Sequence, residues 1–406
     1  MALQYKTPEK LWNKGFILLF IANLFMHMGQ QTITTLVPKY ASAMGAAATI
    51  VGVASSAFAI SALLSKPFTS PAFSCVNKRN LLIFSAIIYL VAYVVFYIAP
   101  TPGWLIAGRL LQGIGTGIAA PVSLSLACDN IPEGSFSRGV SMFSLGQAFG
   151  QAVGPSVGLS LSRSIGYKNT FIICFIAMAV CLVLCFFVSG KPPAEGAKYR
   201  IRLDTILDRR ALPTAVTMTF ITMAYACIPS FLAIYGELLG IDQIGLYFTV
   251  YAIAILVLRF VTGGLADRFG YRLVLVASLV CFGITFLMFS ISRSLTGFII
   301  AALFSALGYG ITLPNIQALC MSSVPADRRG VASNTMYFFQ DIGQSVGPWL
   351  AGMLIDALII AHSVTKDSPT ADDKIYAYST TYLAVIACIA IAIALVVIIT
   401  KKKKEN

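Results

Sequence analysis

The sequence predicts an all-α membrane protein: twelve transmembrane helices arranged as two pseudo-symmetric six-helix bundles. Three observations carry that expectation. Hydrophobic residues make up 58% of the 406-residue chain and charged residues 11%, with a mean hydropathy of +0.82. Soluble chains are roughly a quarter charged, so most of this surface faces hydrocarbon. Apolar runs of the length that crosses a bilayer fall near 15–38, 46–65, 80–99, 104–128, 138–162, 168–188, 211–236, 243–263, 272–291, 295–320, 330–355 and 379–400. Finally, the chain repeats itself at an offset of 193 residues. Lys66 falls on Arg259, Thr69 on Thr262, Arg79 on Arg272, Gly115 on Gly308, Gly117 on Gly310 and Pro121 on Pro314. Gly-Gln-Ala-Val-Gly-Pro at 150–155 falls on Gly-Gln-Ser-Val-Gly-Pro at 343–348. One offset that holds over separate stretches marks an internal duplication, and two like halves suit a transporter built from parallel repeats.

The net charge of +13 does not indicate nucleic acid, because the bases collect in short loops between the spans. With the N-terminus inside, the inner segments hold most of the 29 Lys and Arg residues, including Lys191–Arg210 and Lys401–Lys404. The outer segments hold Lys39, Arg163, Lys168, Arg293, Lys366 and Lys374. Both termini are therefore expected on the cytoplasmic face of the plasma membrane. The expected organisation is an N-terminal bundle (1–189), a cytoplasmic linker (190–210), a C-terminal bundle (211–400) and a basic tail (401–406). Within the linker, 199–210 alternates bases with Ile and Leu; an amphipathic surface helix and an irregular linker both fit it. The outer loop at 356–378 is the longest outside. Most of the nine cysteines lie inside apolar runs, read as small packing residues. The first apolar run lacks a convincing cleavage site and should remain as a span.

Several spans carry polar groups that hydrocarbon does not tolerate without a reason. In span 1, Asn23, His27, Gln30 and Gln31 share one helix face. In span 4, Arg109 stands about five residues below Trp104, roughly 7–8 Å into the membrane at 1.5 Å per residue. It should bond Gln, Tyr or backbone carbonyls, hold an anionic ligand, or reach back to the outer headgroups. Span 5 repeats glycine every fourth residue, at Gly146, Gly150, Gly154 and Gly158, so all four lie on one face where two backbones can nearly touch. Pro155 removes a helix hydrogen bond there and favours a bend or pivot. In span 11, Asp341 lies about 16 Å from the cytoplasmic start of its helix at 1.5 Å per residue. The offset aligns Asp341 with Ala148, while Gln340 and Gln344 fall on Gln147 and Gln151. A coupling carboxylate and a structural acid are both open readings of Asp341, as a functional and a purely interior role are for His27.

The loop Arg259-Phe-Val-Thr-Gly-Gly-Leu-Ala-Asp-Arg-Phe-Gly-Tyr-Arg272 joins spans 8 and 9. It resembles the signature loop of the major facilitator superfamily. Its diagnostic residues are Arg259, Gly263, Asp267, Arg268, Gly270 and Arg272. The span-5 pattern Gly150-x3-Gly154-Pro155-x2-Gly158 and the span-4 pattern Arg109-Leu-Leu-Gln-Gly resemble motifs of the twelve-span drug:proton antiporters in that superfamily. Leu159 and Ser141 depart from the full span-5 pattern. In the N-terminal copy of the signature loop, Ser70, Ser74 and Asn77 replace the Gly, the Asp and the second Gly.

The resemblance implies alternating access and a central cavity lined by spans 1, 4, 7 and 10. Candidate lining residues are Asn23, His27, Gln30, Gln31, Gln112, Tyr225, Asn315 and Gln317. It implies proton handling by Arg109, with Asp341 and His27 as further candidates. It also implies a cytoplasmic lock through Asp267 against the start of span 5, around Arg138 and Gly139. The expected function is proton-coupled efflux of a small organic molecule; the alternative is proton-coupled uptake of a small organic anion held by Arg109. A sensor without transport fits poorly, since loops and tails are short. The expected partners are the substrate, protons and the bilayer, with no nucleic acid and a monomeric state. No cofactor is expected. Metal-binding and nucleophile motifs are absent from the sequence, so enzymatic activity is not expected.

Overall fold

The computed structural model describes residues 10–132, 136–188, 207–261, 268–325, 328–363 and 369–405. Among these the chain forms twelve helices. In the first half of the sequence they are α1 (Lys14–Ala43), α2 (Ala48–Cys75), α3 (Lys78–Ile98), α4 (Pro102–Asp129), α5 (Phe136–Ile165) and α6 (Tyr167–Phe186). In the second half they are α7 (Leu212–Leu238), α8 (Gly245–Val261), α9 (Tyr271–Ile291), α10 (Leu295–Met321), α11 (Arg329–His362) and α12 (Ala371–Glu405). Ten are long and apolar enough to cross a membrane. The others are α8, apolar over its described residues Gly245–Leu258, and α5, whose sequence is diluted by Gly, Ser and Gln.

Hydropathy located every span and misjudged several ends. α1 runs on through Pro38 and Lys39 to Ala43, α11 to His362, and α12 starts at Ala371. The outer loop expected over 356–378 is correspondingly shorter. Hydropathy measures only the stretch inside hydrocarbon, whereas backbone hydrogen bonding carries a helix on into the headgroup region. Asp373 helps define the early start of α12: its carboxylate accepts from the Thr370 N–H at 2.9 Å and from the Thr370 hydroxyl at 2.8 Å. Elsewhere the turns follow the sequence. Asn77 caps α3 by accepting from the Arg79 N–H at 2.9 Å. Gly270 enters α9 at φ +80°, a left-handed conformation that glycine adopts at little cost.

By the density of their packing the residues fall into two compact units, one holding 1–36 and 61–201, the other 37–60 and 202–406. In the first, α3 packs mainly on α4 and α6; in the second, α9 packs on α10 and α12, and α7 on α11 and α12. The offset of 193 residues seen in sequence relates these contacts. Buried Tyr89, Tyr93 and Phe96 on α3 correspond to buried Phe282, Phe286 and Phe289 on α9. Their rings follow one another at 6.3 and 6.3 Å in the first unit, and at 5.1 and 5.7 Å in the second.

At its start α7 is tied to α11. Asp208 accepts from the Arg210 N–H and from Arg328 Nε, both at 2.9 Å, while its own N–H donates to Thr335 Oγ1 at 2.8 Å. The Arg210 N–H and then the Arg328 guanidinium hold the Asp208 carboxyl below the usual carboxylate range. A depressed carboxyl stabilises the fold above its unfolded pKa of about 3.9, and that stabilisation is lost as pH falls through the lower folded value. Since Arg328 is 41% exposed, solvent screening limits the pair to about 0.5–1 kcal/mol. Asp208→Asn should therefore lower the melting temperature at pH 7 by about 1–3 °C. The gap from the parent protein should narrow only as pH falls below about 3.9, a trend that thermal melts across pH would check.

Candidate functional site

In the first unit, α5 lies against α1 along its glycine stripe. A Cβ at Gly146 would meet Asn23 Nδ2 at 3.1 Å; at Gly150, His27 Cβ at 2.7 Å; at Gly154, Gln31 Cβ at 2.8 Å; at Gly158, Thr32 Cγ2 at 2.7 Å. Distances under 3 Å exclude any side chain unless something moves, so the stripe is a close backbone contact of the kind small residues allow. Two hydrogen bonds stitch it: Asn23 Nδ2 donates to the Phe143 carbonyl at 3.1 Å and Thr32 Oγ1 to the Gly154 carbonyl at 3.0 Å. Asn23, expected on a cavity wall, is thus engaged in helix packing. His27 is 7% exposed against the same seam, and its Nδ1 has no hydrogen-bond partner among the described residues. Gln30 and Gln31 are half-buried; Gln30 Oε1 and, on α4, Gln112 Nε2 are likewise buried without a partner among the described residues. In hydrocarbon such atoms carry a substantial desolvation cost unless water or a ligand meets them.

Arg109 is buried within the first unit. It is 1% exposed, and its Nη1 donates to Gln112 Oε1 at 2.8 Å. The ionisable side chains that act on it are Tyr89 and Tyr93 on α3. Glycines on either side of the motif serve packing: a Cβ at Gly108 would strike the Phe96 ring at 2.5 Å, and one at Gly117 the Ala62 carbonyl at 2.7 Å. The second unit has the same scaffold without the charge. By the 193-residue offset, Arg109, Gln112, Tyr89 and Tyr93 correspond to Ala302, Ser305, Phe282 and Phe286. The fold therefore does not require a charge at this place.

In the second unit, α11 meets α7 through the duplicated glycines. A Cβ at Gly343 would be 3.1 Å from the Met223 nitrogen, and one at Gly347 would be 2.8 Å from Met223 Cα. Thr219 and Thr222 on α7 donate to the carbonyls of Phe339 and Gln340 at 3.0 and 3.1 Å. Asp341 follows directly, 8% exposed, with Tyr337 one turn away as an electrostatic neighbour. Tyr225 on α7 stacks face to face on Tyr309 of α10, with ring centroids 3.9 Å apart and planes 8° apart. Tyr251 on α8 is an electrostatic neighbour of Tyr225 and stacks on Tyr247. Asn315 turns back on its own helix, donating to the Ile311 carbonyl at 2.7 Å, and Gln317 is half-buried.

Sequence reasoning missed Tyr309 and Tyr251. Tyr309 sits in a π turn, Ala306–Gly310, inside α10. Such turns shift the helix register and recur at functional sites. The Gly308-Tyr-Gly310 run was the available signal. Gly308 lets α10 approach α9 closely, since a Cβ there would lie 2.7 Å from Phe282 Cα.

Of the signature loop, residues 262–267, with Gly263 and Asp267, lie outside the described residues, as do the side chains of Arg259 and Arg138. The expected lock through Asp267 thus also lies outside them. Arg268 is exposed, its guanidinium 5.3 Å from the Phe269 ring centre, and Arg272 is exposed at the start of α9. Among the described residues no group of His, Cys, Asp and Glu is placed to hold a metal ion.

Comparisons with known proteins agree with this architecture. The family model of the Major Facilitator Superfamily matches residues 19–242 and 214–406. The staphylopine export protein of Staphylococcus aureus (strain Mu50 / ATCC 700699) is 21% identical over 259 residues, covering 60% of this chain and 64% of that protein's length. The multidrug resistance protein MdtL of Escherichia coli O81 (strain ED1a) is 24% identical over 289 residues, 68% of this chain and 73% of the relative. In fold, the chain is similar to the crystal structure of the nucleoside transporter NupG. The TM-score is 0.76 at 12% identity, covering 95% of this chain and 99% of that one.

Gln112 offers a direct test of the buried arginine. Gln112→Leu leaves Arg109 short of a charged hydrogen bond, which contributes about 1.5–3 kcal/mol. The purified variant should be less stable by about that amount in thermal or denaturant unfolding. Ser305→Ala, at the equivalent place in the uncharged copy, should cost less.

Proposed function

The chain belongs to the major facilitator superfamily, and from that premise we propose that it exports a small organic molecule in exchange for protons by alternating access. The observation that carries this reading is an asymmetry laid on a duplication. Each half holds a buried ionisable residue where the other has alanine: Arg109 against Ala302, and Asp341 against Ala148. Groups needed only for packing would be expected in both copies or in neither. Charged groups kept in hydrocarbon at several kcal/mol each are the usual mark of a proton or substrate path. The direction of transport is supported by the relatives that carry export and multidrug-resistance names.

In this reading Asp341 carries the proton. A proton from the outer side neutralises the carboxylate and weakens substrate binding there; its loss to the cytoplasm restores the binding form. The change acts on one half only, which suits a bias between two states of nearly equal free energy. Arg109, kept charged by its guanidinium chemistry and oriented by Gln112, sets the polarity of the other half. His27, Gln30 and Gln112 supply buried polar atoms for substrate or water. Tyr225 and Tyr309 offer a flat aromatic surface, suited to planar substrates. The protein works as a monomer in the plasma membrane, both termini inside.

A second reading keeps the fold and reverses the direction. The burial of Arg109 beside Gln112 favours it, since a buried guanidinium suits a carboxylate or phosphate. Uptake of a small organic anion would then be driven by cotransported protons. Flux in right-side-out and inverted vesicles separates the two.

Asp341→Asn mimics the neutral form permanently. The expected result is loss of flux driven by an imposed pH gradient and loss of pH dependence in substrate binding, with substrate exchange retained where binding survives. Vesicle uptake measured beside the parent protein checks this. If the variant still concentrates substrate in response to the gradient, the coupling group is not Asp341.

A further inference from the structure

At the other end of α11 from its cytoplasmic start, Asp356 reaches a helix far away in sequence. The Ala48 N–H donates to Asp356 Oδ1 at 2.9 Å and the Thr49 N–H to Asp356 Oδ2 at 2.8 Å. Ala48 and Thr49 are the first two residues of α2. The opening N–H groups of a helix have no partner within it and sit at the positive end of its dipole. A carboxylate that takes two of them, one per oxygen, forms a charge-assisted, orientation-specific cap.

The contact is built for closeness as well as charge. Gly352, one turn before Asp356, leaves its Cβ position against the Ala48 carbonyl, and Gly52, one turn into α2, leaves its own against the Pro348 carbonyl. In the same unit, Lys39 at the end of α1 pairs with Glu237 at the end of α7 at 3.3 Å, Lys39 being 6% exposed. All of these residues belong to the second unit, in which 37–60 pack with 202–406. The device is also one-sided. The 193-residue offset aligns Asp356 with Arg163, and a guanidinium has no lone pair to offer a helix N-terminus.

We propose that Asp356 is an outer latch: its carboxylate caps α2 to hold the outer side of the protein shut, and the cap must break whenever that side opens. This goes beyond the transport reading in naming the residue that sets the closed population, and it rests on that reading for alternating access and for the side of the membrane. Asn keeps the size of the side chain but has one acceptor oxygen and turns an NH₂ group towards the second N–H. Glu keeps both acceptors.

Val51, 1% exposed on the first turn of α2, reports the latch when replaced by cysteine in a background without reactive native thiols. Its rate of labelling by a membrane-impermeant maleimide should rise about five-fold or more with Asp356→Asn and stay within about two-fold with Asp356→Glu. Ala48→Pro should raise it too: proline is tolerated at the first helical position but lacks the N–H that Asp356 accepts. Should Asp356→Asn fail to give monodisperse protein, Ala48→Pro decides alone. Unchanged labelling with Asp356→Asn, or an equal rise with Asp356→Glu, would overturn the latch. Labelling needs neither substrate nor gradient, so its outcome is independent of transport direction. Exposed Ala47, replaced by cysteine and labelled in whole cells and in inverted vesicles, tests the side separately. Reaction from the cytoplasmic face only would overturn the orientation.

Discussion

Both halves of this protein depend on one constraint, a place where two helix backbones come too close for a side chain between them. In the first half Gly150 and Gly154 seat α5 on α1; in the second, their duplicated counterparts Gly343 and Gly347 seat α11 on α7. Hydrocarbon gives helices no hydrophobic reason to associate, so close packing and carbonyl-directed hydrogen bonds must do it. Thr32 on Gly154, and Thr219 and Thr222 on Phe339 and Gln340, supply those bonds. The remaining packing follows the same duplication: Gly115 meets Tyr89 and Gly308 meets Phe282, while Gly117 meets Ala62 and Gly310 meets Ile255. Each pair is the other shifted by 193 residues.

Against that common scaffold the differences between halves carry the chemistry. Where the first half has Tyr89, Tyr93, Arg109 and Gln112, the second has two phenylalanines, an alanine and a serine. Where the second has Asp341 and Asp356, the first has Ala148 and Arg163. A duplicated fold tolerates such changes because the glycine seams bear the packing. Buried polar groups can then be placed on neighbouring turns at an energetic cost the fold can carry.

The architecture was legible in sequence because the physics that builds it is local and periodic. Span length, charged loops and four-residue glycine spacing are each visible in a stretch of one helix, and the repeat offset relates stretches directly. For Arg109 the sequence offered several partners, and the structure supplies Gln112 among them. Asn23 shows the limit of that reasoning. Its polar side chain suggested a cavity wall from sequence, whereas in the structure it donates to the Phe143 carbonyl of α5. Tyr309 was hidden by a π turn that breaks the regular 3.6-residue count. Asp356 was hidden because its partners, Ala48 and Thr49, lie some 300 residues away and offer only backbone N–H groups, which leave no mark in a sequence.

The glycine seams are tested most directly by adding one methyl group. In a helix, Gly→Ala alone is stabilising by about 1 kcal/mol, while overpacking costs about 1–3 kcal/mol, so sign distinguishes contact from open space. The measurement is the thermal stability of purified Gly154→Ala, Gly347→Ala and Gly283→Ala. Among the described residues a Cβ at Gly283 meets only Ile389, at 3.9 Å, so that variant should be as stable as the parent or more so. Gly154→Ala and Gly347→Ala should both be less stable than the parent. If all three variants match or exceed the parent, the two halves are not held by backbone contact and the account is wrong.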